Sequence, residues 1–478
     1  MRTERVPVLV VGAGPVGLTS ALFLAHWGVH ALVVDKRAAG HGPPRAGTSL
    51  RTLELFRTMG LGEEVERLAW RGGLPLEAVH QDSAFGPALS RSGLPPRYAE
   101  RVESCSPADP RLSMSQVEVN RLALAHLDRS QVRHGVRLLD FTEVDGVVRA
   151  ELVEESTGER WVVEADYLIA ADGARSGIRE RLGIPVLDRE VIAHITTAFY
   201  SADLGDALAR WGTGACFVRG EQVYATLFSK DGDRRWTSHI LDYPGKPEGP
   251  DELSEQQALR LLRTAIGDQR IPVELHAVNS WTAAVGLAAR LRQGRVFLVG
   301  DAAHVQSSAG GLGMNTGIQD GHNLAWKLAE VLHGQSGPEL LDSYEPERLA
   351  AARESLGLAL RLHRGYLAKG CDPSALLEQV AVDYLRAMMF YDYGGSADVD
   401  VLRDEIRPGV RFPHMTVHGK STVDMIGTSW TEFTGQAVDR PHHVLPGLAP
   451  GQSVLVRPDG VVATTRSAAE DARTAHPQ

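Results

Sequence analysis

Three glycines near the N-terminus have the spacing of a loop that binds a phosphate. Gly12, Gly14 and Gly17 enclose Pro15 and Val16 in a Gly-x-Gly-x-x-Gly motif. The first glycine permits a tight turn, the second lets the backbone approach a pyrophosphate, and the third lets a helix pack closely against a strand. The N-terminus of the helix that follows presents free N–H groups and a partial positive charge to the phosphates. The motif therefore predicts that the chain binds a dinucleotide.

The segments around this motif support the same prediction. An apolar run at residues 6–11 is typical of a buried strand, helical spacing follows over 18–27, and a second strand is predicted at 31–35. Asp35 ends this second strand, where a carboxylate binds the ribose hydroxyls of NAD or FAD and opposes a 2′-phosphate. Lys36 is a further candidate contact, although solvation alone accounts for a lysine at this position.

Two later segments place carboxylates after predicted buried strands. Asp172 follows the run at 167–171, and Asp301 follows the run at 295–299. Ligands of open α/β sheets bind outside the carboxyl ends of the strands, which is where these two side chains are expected. The glycine-rich stretch at 310–315 precedes a helix predicted over 317–333. Its backbone N–H groups therefore suit an anion that develops on a cofactor ring.

The stretches between these segments indicate more than one domain. A length of 478 residues predicts two to three domains. Strands that alternate with helices favour a parallel sheet with helical cover, whereas short runs with aromatic residues between 183 and 281 indicate a separate antiparallel sheet. From Pro408 onward the sequence is rich in turn-forming residues.

Composition excludes several classes of partner. The formal net charge of −10 argues against nucleic acid or an anionic membrane. Cys105, Cys216 and Cys371 lie far apart and form no Cys-x-x-Cys pair, so neither a disulfide framework nor a metal site is expected, and the cytoplasm is the expected location. No uninterrupted apolar run reaches the ~18–20 residues that a membrane-spanning helix needs. The expected partner is a small molecule, and the expected state is a monomer or homodimer.

In this order and at these spacings, the three cofactor segments resemble those of the class A flavoprotein monooxygenases, the p-hydroxybenzoate hydroxylase-like family. The resemblance runs through most of the chain and is greatest to the aromatic polyketide hydroxylases. Segments similar to the signatures of that subgroup lie at 44–46, 51–54, 408–414, 421–424 and 457–460. The resemblance implies an α/β fold, namely a GR2-type FAD-binding Rossmann-like domain with an inserted antiparallel-sheet substrate domain and a short C-terminal region.

The domains implied by this resemblance are discontinuous. The FAD-binding domain and its following helices would comprise residues 1–74, 103–183 and 281–400. The substrate-binding domain would comprise 75–102 and 184–280. Between Trp430 and Arg457 the chain is much shorter than the thioredoxin-like domain of the polyketide hydroxylases requires. Either a truncated version of that domain is therefore expected over 401–478, or residues of it are absent from this sequence.

The resemblance also assigns the cofactor contacts. Asp172 would serve both FAD and a transient NAD(P)H, and Asp301 would reach the ribityl hydroxyls. The pyrophosphate or ribityl region would be reached by Arg45 and Gln116. The ADP half of FAD would be held by Gly12, Gly14, Pro15, Val16, Gly17, Asp35 and Lys36. The N1/O2 edge of the flavin would face the backbone of Gly311, Gly313, Met314 and Asn315.

The chemistry implied by the resemblance is oxygen insertion. NADPH or NADH would reduce the flavin, and O2 would add at C4a to give a hydroperoxide that hydroxylates an aromatic or polyketide-type molecule in a cavity that excludes water. Two alternatives stay open, which are Baeyer–Villiger insertion on the same fold and a non-turnover flavoprotein that sequesters a pathway intermediate. A Pro-Pro pair usual in the family beside the flavin is replaced here by Ser307-Ser308, a departure that bears on flavin mobility and oxygen reactivity.

The substrate site is predicted from residue types rather than from a sequence motif. His304, His322 and Arg386 are candidates for orienting or deprotonating a phenol, and no catalytic base is assigned. Packing within a sheet explains aromatic residues as well as substrate contact does. With that alternative open, the candidates for lining the substrate cleft are Phe217, Tyr224, Phe228, Trp281 and Arg386.

Overall fold

The computed structural model describes residues 2–38, 40, 47–247, 249, 252–367, 371–395, 399–436 and 442–466. Its α-helices are, in chain order, α1 (Pro15–His26), α2 (Leu50–Thr58), α3 (Gly62–Leu68), α4 (Pro96–Ser104), α5 (Gln116–His126), α6 (Gly177–Arg181), α7 (Gly205–Trp211), α8 (Glu255–Ile266), α9 (Leu312–Leu332), α10 (Tyr344–Leu367) and α11 (Pro373–Met388). None of these described helices is both long enough and apolar enough to cross a membrane.

The described strands range from two to seventeen residues in length. In chain order they are β1 (Thr3–Val11), β2 (Ala31–Asp35), β3 (Trp70–Arg71), β4 (Ala78–Gln81), β5 (Ala88–Ser92), β6 (Leu112–Ser113), β7 (Val132–His134), β8 (Val136–Val144), β9 (Val147–Glu154), β10 (Arg160–Ala170), β11 (Val186–Ala202), β12 (Ala215–Arg219), β13 (Tyr224–Ser229), β14 (Arg235–Asp242), β15 (Val273–Ala288), β16 (Arg292–Gln293), β17 (Val296–Leu298), β18 (His304–Val305), β19 (Thr416–Val417), β20 (Lys420–Ser421), β21 (Thr431–Thr434), β22 (His443–Val444), β23 (Ser453–Val456) and β24 (Val462–Arg466).

The first large sheet is built around four parallel strands in the order β17-β10-β1-β2. β7 continues it in parallel beyond β2, while β9 and β8 form an antiparallel flap on β10. The middle strands are buried on both faces, with every residue of β2 buried, because α1, α5 and α9 pack their apolar sides against the sheet. The parallel βαβ start and the strands predicted at 31–35 and 295–299 are confirmed, the latter within one or two residues.

The second large sheet has the order β18-β15-β11-β14-β13-β12-β4-β5, in which neighbours are antiparallel except β12 and β4. Alternate residues of a strand point to opposite faces. In β13, Ala225 and Leu227 belong to the core beneath α8, whereas Thr226 and Phe228 face a cavity on the other side. The prediction of an antiparallel sheet between 183 and 281 is confirmed. The exact domain boundaries stay a prediction.

Residues after Pro408, for which the sequence predicts turns, form a four-stranded sheet in the order β22-β21-β23-β24. Its strands are only two to five residues long, so they carry no alternating pattern that the sequence could reveal. This sheet joins a core shared with α10 and α11. The interpretation of 401–478 as a truncated thioredoxin-like region stays a prediction.

A buried ionic cluster fastens this C-terminal sheet to α9 and α10. The Arg457 guanidinium donates to both carboxylate oxygens of Glu347, at 2.7 and 3.0 Å, and also pairs with Asp459. Lys327, fully buried in α9, donates to Glu347 at 2.7 Å, and the Trp326 indole donates to Asp459 at 3.1 Å. We name Trp326, Lys327, Glu347, Arg457 and Asp459 the C-terminal clasp.

Candidate functional site

The parallel strands end at one level, which brings the predicted cofactor segments to a single edge of the sheet. Val11 is level with Val34 and Ala170, and Ala170 is level with Leu298. Ligands of open α/β sheets bind at this carboxyl edge. The residues that directly follow the first three positions are the turn at Gly12, Asp35 and the pair Ala171-Asp172, and the pair Gly300-Asp301 follows Leu298 after one residue.

Each of the three positions in the first turn holds glycine for a different structural reason. Gly12 has a φ of +113°, and a Cβ there would lie 2.2 Å from the carbonyl oxygen of Ala171. A Cβ at Gly17 would lie 1.9 Å from the carbonyl oxygen of Gly12. Gly14 has an ordinary φ of −78°, and a Cβ there would meet no described atom within 4 Å. The space in front of Gly14 is therefore open, at the N-terminus of a helix without a capping side chain.

Asp35 is buried and braces this turn. Its carboxylate accepts the N–H of Ala13 and the N–H of Arg37, each at 2.8 Å. Burial raises the pKa of Asp35, but the hydrogen bonds from Arg37 and Ala13 outweigh burial and hold its pKa below the usual value. The side chain is therefore ionised next to the turn, while Lys36 beside it is exposed.

One carboxylate oxygen of Asp172 is buried without a hydrogen-bond partner among the described residues. Its Oδ2 accepts the N–H of Ile178 at 3.2 Å, whereas its Oδ1 has no donor there. A buried acceptor without a donor costs about 1–3 kcal/mol. This atom is therefore suited to a hydroxyl or N–H of a ligand. Asp301 is exposed in the short turn Gly300–Ala302 at the same edge.

The predicted flavin contacts on the glycine-rich stretch belong to the first turn of α9. The sequence predicts a helix from 317, but α9 begins at Leu312 because Gly310 and Gly311, with φ of +77° and +67°, reverse the chain just before it. Gly313 and Met314 therefore lie in the first turn. The N–H groups of a first helical turn have no acceptor within the helix, so they are available to an anion.

The Asn315 side chain ties this first turn to the chain that leads into α2. Its Oδ1 accepts the N–H of Ser49 at 2.8 Å and the hydroxyl of Thr52 at 2.7 Å. Its amide nitrogen donates to the carbonyl oxygens of Gly47 and Gly311, at 2.9 and 2.7 Å. The side chain is thus fully used for structure, which leaves only the Asn315 backbone for the predicted cofactor contact.

The two histidines considered for a phenol lie elsewhere in the core. His304 is buried with its Nε2 2.7 Å from Asp320, which also accepts from the Gly300 N–H at 3.0 Å and from Arg348 at 2.7 Å. His322 packs against the ring of Phe23, and burial lowers its pKa well below the usual value. Neither lines the cavity, so both serve the core rather than a substrate.

A cavity of about 350 Å³ lies between the antiparallel sheet and the start of α9. Phe217 of β12 and Phe228 of β13 form part of one wall, and Gly311 and Asn315 form part of the opposite wall. Predicted substrate and flavin contacts are therefore brought to the same space. A volume of this size lies within the range of small-molecule sites, ~300–1,000 Å³.

Three residues predicted to line the cleft do not line this cavity. The Tyr224 hydroxyl donates to the carbonyl oxygen of Tyr366 at 2.6 Å, beyond the cavity wall. The Trp281 indole donates to the Thr197 hydroxyl at 2.8 Å, behind the cavity-lining His239. Arg386 lies on α11, where its guanidinium is 3.4 Å from the carbonyl oxygen of Val399. The aromatic pattern identified the sheet correctly but could not separate wall residues from those behind them.

Sequence reasoning missed several polar residues in the cavity wall, Lys230 and His363 among them. Lys230 follows β13, and burial lowers the pKa of its ammonium group to about 8. His363 lies near the end of α10. A lone lysine in a turn and a lone histidine on a helix carry no recognisable motif, so only the fold reveals them.

The remaining predicted contacts can be placed only in part. Gln116 is the first residue of α5 and directly follows Ser115, which lines the cavity and caps the helix by accepting from the N–H of Val117. Arg45, in the signature segment 44–46, lies outside the described residues.

Comparisons with known proteins agree on one family. The family described as FAD binding domain matches residues 5–358. Aklavinone 12-hydroxylase from Streptomyces purpurascens is 34% identical, with 99% of this chain and 98% of the relative covered. Tetracenomycin A2 monooxygenase-dioxygenase from Streptomyces glaucescens is 32% identical, with 97% and 94% covered. The solved structure of a ternary complex of aklavinone-11 hydroxylase with FAD and aklavinone superimposes with a TM-score of 0.85 at 31% identity, covering 99% and 98% of the two chains.

The chain belongs to the FAD-dependent aromatic hydroxylases.

Two features of this hydroxylase fit the cofactor of its family. The open space in front of Gly14 leaves room at the helix N-terminus for a pyrophosphate, and the unpaired Oδ1 of Asp172 needs a donor such as a hydroxyl group. Both lie at the carboxyl edge of the first sheet, and the start of α9 lines the cavity. The match of the hydroxylase to its relatives also includes the C-terminal sheet, since nearly the whole chain is covered.

Proposed function

We propose that this hydroxylase uses NADPH or NADH and O2 to place one oxygen atom on an aromatic polyketide-type molecule bound in the cavity described above. FAD, when bound, supplies the redox chemistry and the activation of O2. The chain would hold its ADP half at Gly12–Gly17 and Asp35, with the other predicted contacts at Gln116, Asp172, Asp301 and the first turn of α9. The cavity would orient the substrate ring and exclude water from it.

The observation that carries this proposal is the position of the cavity. Its walls include Gly311 and Asn315, from the segment predicted to contact the flavin, and Phe217 and Phe228 from the antiparallel sheet. A flat aromatic molecule between these walls would have apolar rings on one side and the cofactor segment on the other. The relatives named for aklavinone and tetracenomycin support a substrate with several fused rings.

The test is turnover with the substrates that give the relatives their names. The purified protein should carry FAD, and aklavinone or tetracenomycin A2 should accelerate NADPH oxidation. Under 18O2, mass spectrometry should show one labelled oxygen in the product. A lactone or ester in place of a phenol would instead establish Baeyer–Villiger insertion. Tight ligand binding without any stimulated NADPH oxidation would establish a sequestering protein, and a chain that cannot retain FAD would refute the proposal.

Lys230 favours a substrate that carries a negative charge. Its side chain is half-buried in the cavity wall, with the ammonium group 5.7 Å from the centre of the Phe228 ring. Burial lowers the pKa of Lys230 more than the charge of Glu118 raises it, and Glu118 is itself paired with Arg235 at 3.5 Å. A desolvated ammonium group attracts an anionic ligand group more strongly than an exposed lysine does. The described wall also holds Glu77, whose carboxylate lies 3.9 Å from the guanidinium of Arg91.

We expect Lys230→Met to weaken binding of anthraquinone-2-carboxylate about tenfold, because one charge-assisted contact is lost. The dissociation constant of the uncharged anthraquinone-2-carboxamide should stay within about twofold. Since the pKa of Lys230 is about 8, binding of the carboxylate to the native protein should weaken between pH 7 and pH 9, and this dependence should vanish in the variant. Fluorescence titration measures all of these constants.

The matched control is Lys420→Met, which removes an exposed lysine on β20 far along the chain from the cavity wall. It should leave both dissociation constants and their pH dependence unchanged. Equal weakening of the carboxylate and the carboxamide by Lys230→Met would show that the lysine acts through packing rather than charge.

A further inference from the structure

His363 presents an unpaired nitrogen at the cavity wall. Its Nδ1 lies 2.5 Å from the hydroxyl oxygen of Ser307, whereas its Nε2 is buried and has no hydrogen-bond partner among the described residues. The imidazole lines the cavity together with the turn from Ser308 to Gly311. A buried polar atom of this kind is satisfied when a ligand supplies the missing partner.

The hydrogen bonds of Ser307 determine which nitrogen of His363 carries the proton. The Ser307 oxygen accepts the N–H of Ala309 at 3.2 Å, and Ser307 is almost fully buried. Its own hydrogen then has one acceptor among the described contacts, the Nδ1 of His363. A neutral imidazole has a single N–H, and burial lowers the pKa of His363 to about 4. With Ser307 as the donor to Nδ1, the single proton of the neutral ring resides on Nε2, which makes that atom a donor.

This donor lies on the side of the cavity where the reacting ring is expected. Gly311 and Asn315, from the predicted flavin-facing segment, line the same cavity as His363. The ring of Tyr366, one helical turn further along α10, packs directly on the ring of Phe217 with 4.9 Å between their centres, so α10 meets the wall formed by the sheet close to His363. A flat substrate that contacts these aromatic residues would present its edge oxygens to His363.

We propose that His363 donates its Nε2–H to an ionised phenol oxygen of the substrate, and that Ser307 is the positioning residue that fixes this tautomer. The inference rests on the proposed function, since it assumes an aromatic substrate in this cavity. The substrate binds as the phenolate, and its proton stays in solvent. Hydrogen bonding to the charged form favours that form, and a phenolate ring is richer in electrons than a phenol ring at the carbons that accept oxygen.

This role uses the departure from the family at Ser307-Ser308. Proline at position 307 has no hydroxyl group, so it could not donate to the Nδ1 of His363. The serine therefore gives this chain a second hydrogen-bonded residue at the cavity, in place of a rigid pair of prolines. The two residues form a Ser307–His363 dyad, which acts in binding rather than as a nucleophile and its base.

Alizarin, a dihydroxyanthraquinone dye whose visible band moves to longer wavelength on ionisation, tests the dyad in the FAD-loaded protein. At the pH where half of the free dye is ionised, binding to the native protein should shift it toward the ionised form. His363→Leu should remove most of this shift and weaken binding about ten- to a hundredfold. His363→Gln, which keeps an N–H donor, should restore part of the shift. Ser307→Ala should give an intermediate shift, because the tautomer is no longer fixed.

The chain offers a matched control in His80. This histidine also bonds a serine, with its Nε2 2.8 Å from Ser92, and it also has one buried unpaired nitrogen, but it does not line the cavity. Its ring stacks on the ring of Phe217, and leucine keeps an apolar contact there, so His80→Leu should leave the ionised fraction of bound alizarin unchanged.

The outcomes separate this inference from the proposed function. Native protein that binds neither FAD nor alizarin would overturn the proposed function itself. Native protein that binds both, with a shift that survives in His363→Leu, would overturn the dyad alone. An equal effect of His80→Leu and His363→Leu would also overturn it, as would a Gln variant no better than the Leu variant. If His363→Leu loses FAD, the other two variants decide. The dyad would be overturned if bound alizarin had the same spectrum in Ser307→Ala and in His363→Gln as in the native protein.

Discussion

Glu54→Gln will lower the free energy of unfolding by about 3–5 kcal/mol, because it leaves two buried guanidinium groups without their counter-ion. Glu54 of α2 is fully buried and pairs with both Arg51 and Arg411. It also accepts the hydroxyl of Ser106 at 2.7 Å. Arg51 in turn donates to the carbonyl oxygen of Asp459 at 2.9 Å, so the loss extends from α2 to the C-terminal sheet. Urea denaturation at pH 7 measures the effect.

The effect of Glu54 on stability should depend on pH in a defined direction. Burial raises the pKa of Glu54, but Arg411 and Arg51 outweigh burial and lower its pKa to about 2. A carboxyl group with a lowered pKa contributes stability above its unfolded pKa of about 4.3, and this contribution is lost as the pH falls toward the folded pKa. The difference in stability between the native protein and Glu54→Gln should therefore be full at pH 6 and shrink steadily between about pH 4.3 and pH 2.

The control for this substitution is Glu63→Gln on the neighbouring helix α3. Glu63 is exposed, so the same chemical change should alter the free energy of unfolding by less than about 0.5 kcal/mol. A Glu54→Gln protein as stable as this control would show that the two arginines find other partners. In that case the ion pairs of Glu54 with Arg51 and Arg411 would contribute little to the free energy of unfolding of the protein.

Gly14→Val is expected to leave the protein folded but to weaken FAD binding at least about a hundredfold. The native backbone at Gly14 is one that valine adopts, and a Cβ there would meet no described atom within 4 Å. The side chain would instead fill the space at the N-terminus of α1 that the pyrophosphate is expected to occupy. Flavin absorbance per protein after purification, followed by titration of the apoprotein with FAD, measures the loss. The apoprotein should melt within a few degrees of native apoprotein.

Gly17→Ala provides the matched comparison in the same turn. Its Cβ would lie 1.9 Å from the carbonyl oxygen of Gly12, where only main-chain movement gives relief. This variant should lower the melting temperature of the apoprotein itself, whereas Gly14→Val should not. If Gly14→Val retained one FAD per chain, the pyrophosphate could not lie in front of Gly14. If both variants destabilised the apoprotein equally, the open space in front of Gly14 would have no role of its own.

The parts of the fold that the sequence predicted are those with local signals. Glycine spacing identified the turn at Gly12, and a short apolar run identified the strand at 31–35. Both signals are local, because a tight turn requires glycine and a buried strand requires consecutive apolar residues. The buried strands before Asp172 and Gly300 were recognisable for the same reason. Their meeting at one sheet edge followed from the parallel order of the strands.

The rest depended on contacts between distant parts of the chain. The cavity wall includes Gly73 and Arg111, from a part of the chain that reaches it because β3 pairs with β6 and β4 pairs with β12 far along the sequence. Nothing local marks His363 as a cavity residue, since its position depends on how α10 packs against the turn at Ala309. The sequence also missed the start of α9 at Leu312, because the first turn of this helix contains a glycine, which has a low helical propensity.

The C-terminal clasp has a consequence for how the protein is made. Lys327 and Glu347 leave the ribosome well before Arg457 and Asp459, by roughly ten seconds at ordinary rates of translation. Until then the nascent chain has the charged groups and apolar helix faces of its core without the strands that cover them. We expect this unfinished state, rather than the completed protein, to be the one that aggregates. Slower translation of the codons between Glu347 and Arg457 should therefore lower the yield of soluble protein more than slower translation of an equal number of codons before Lys327.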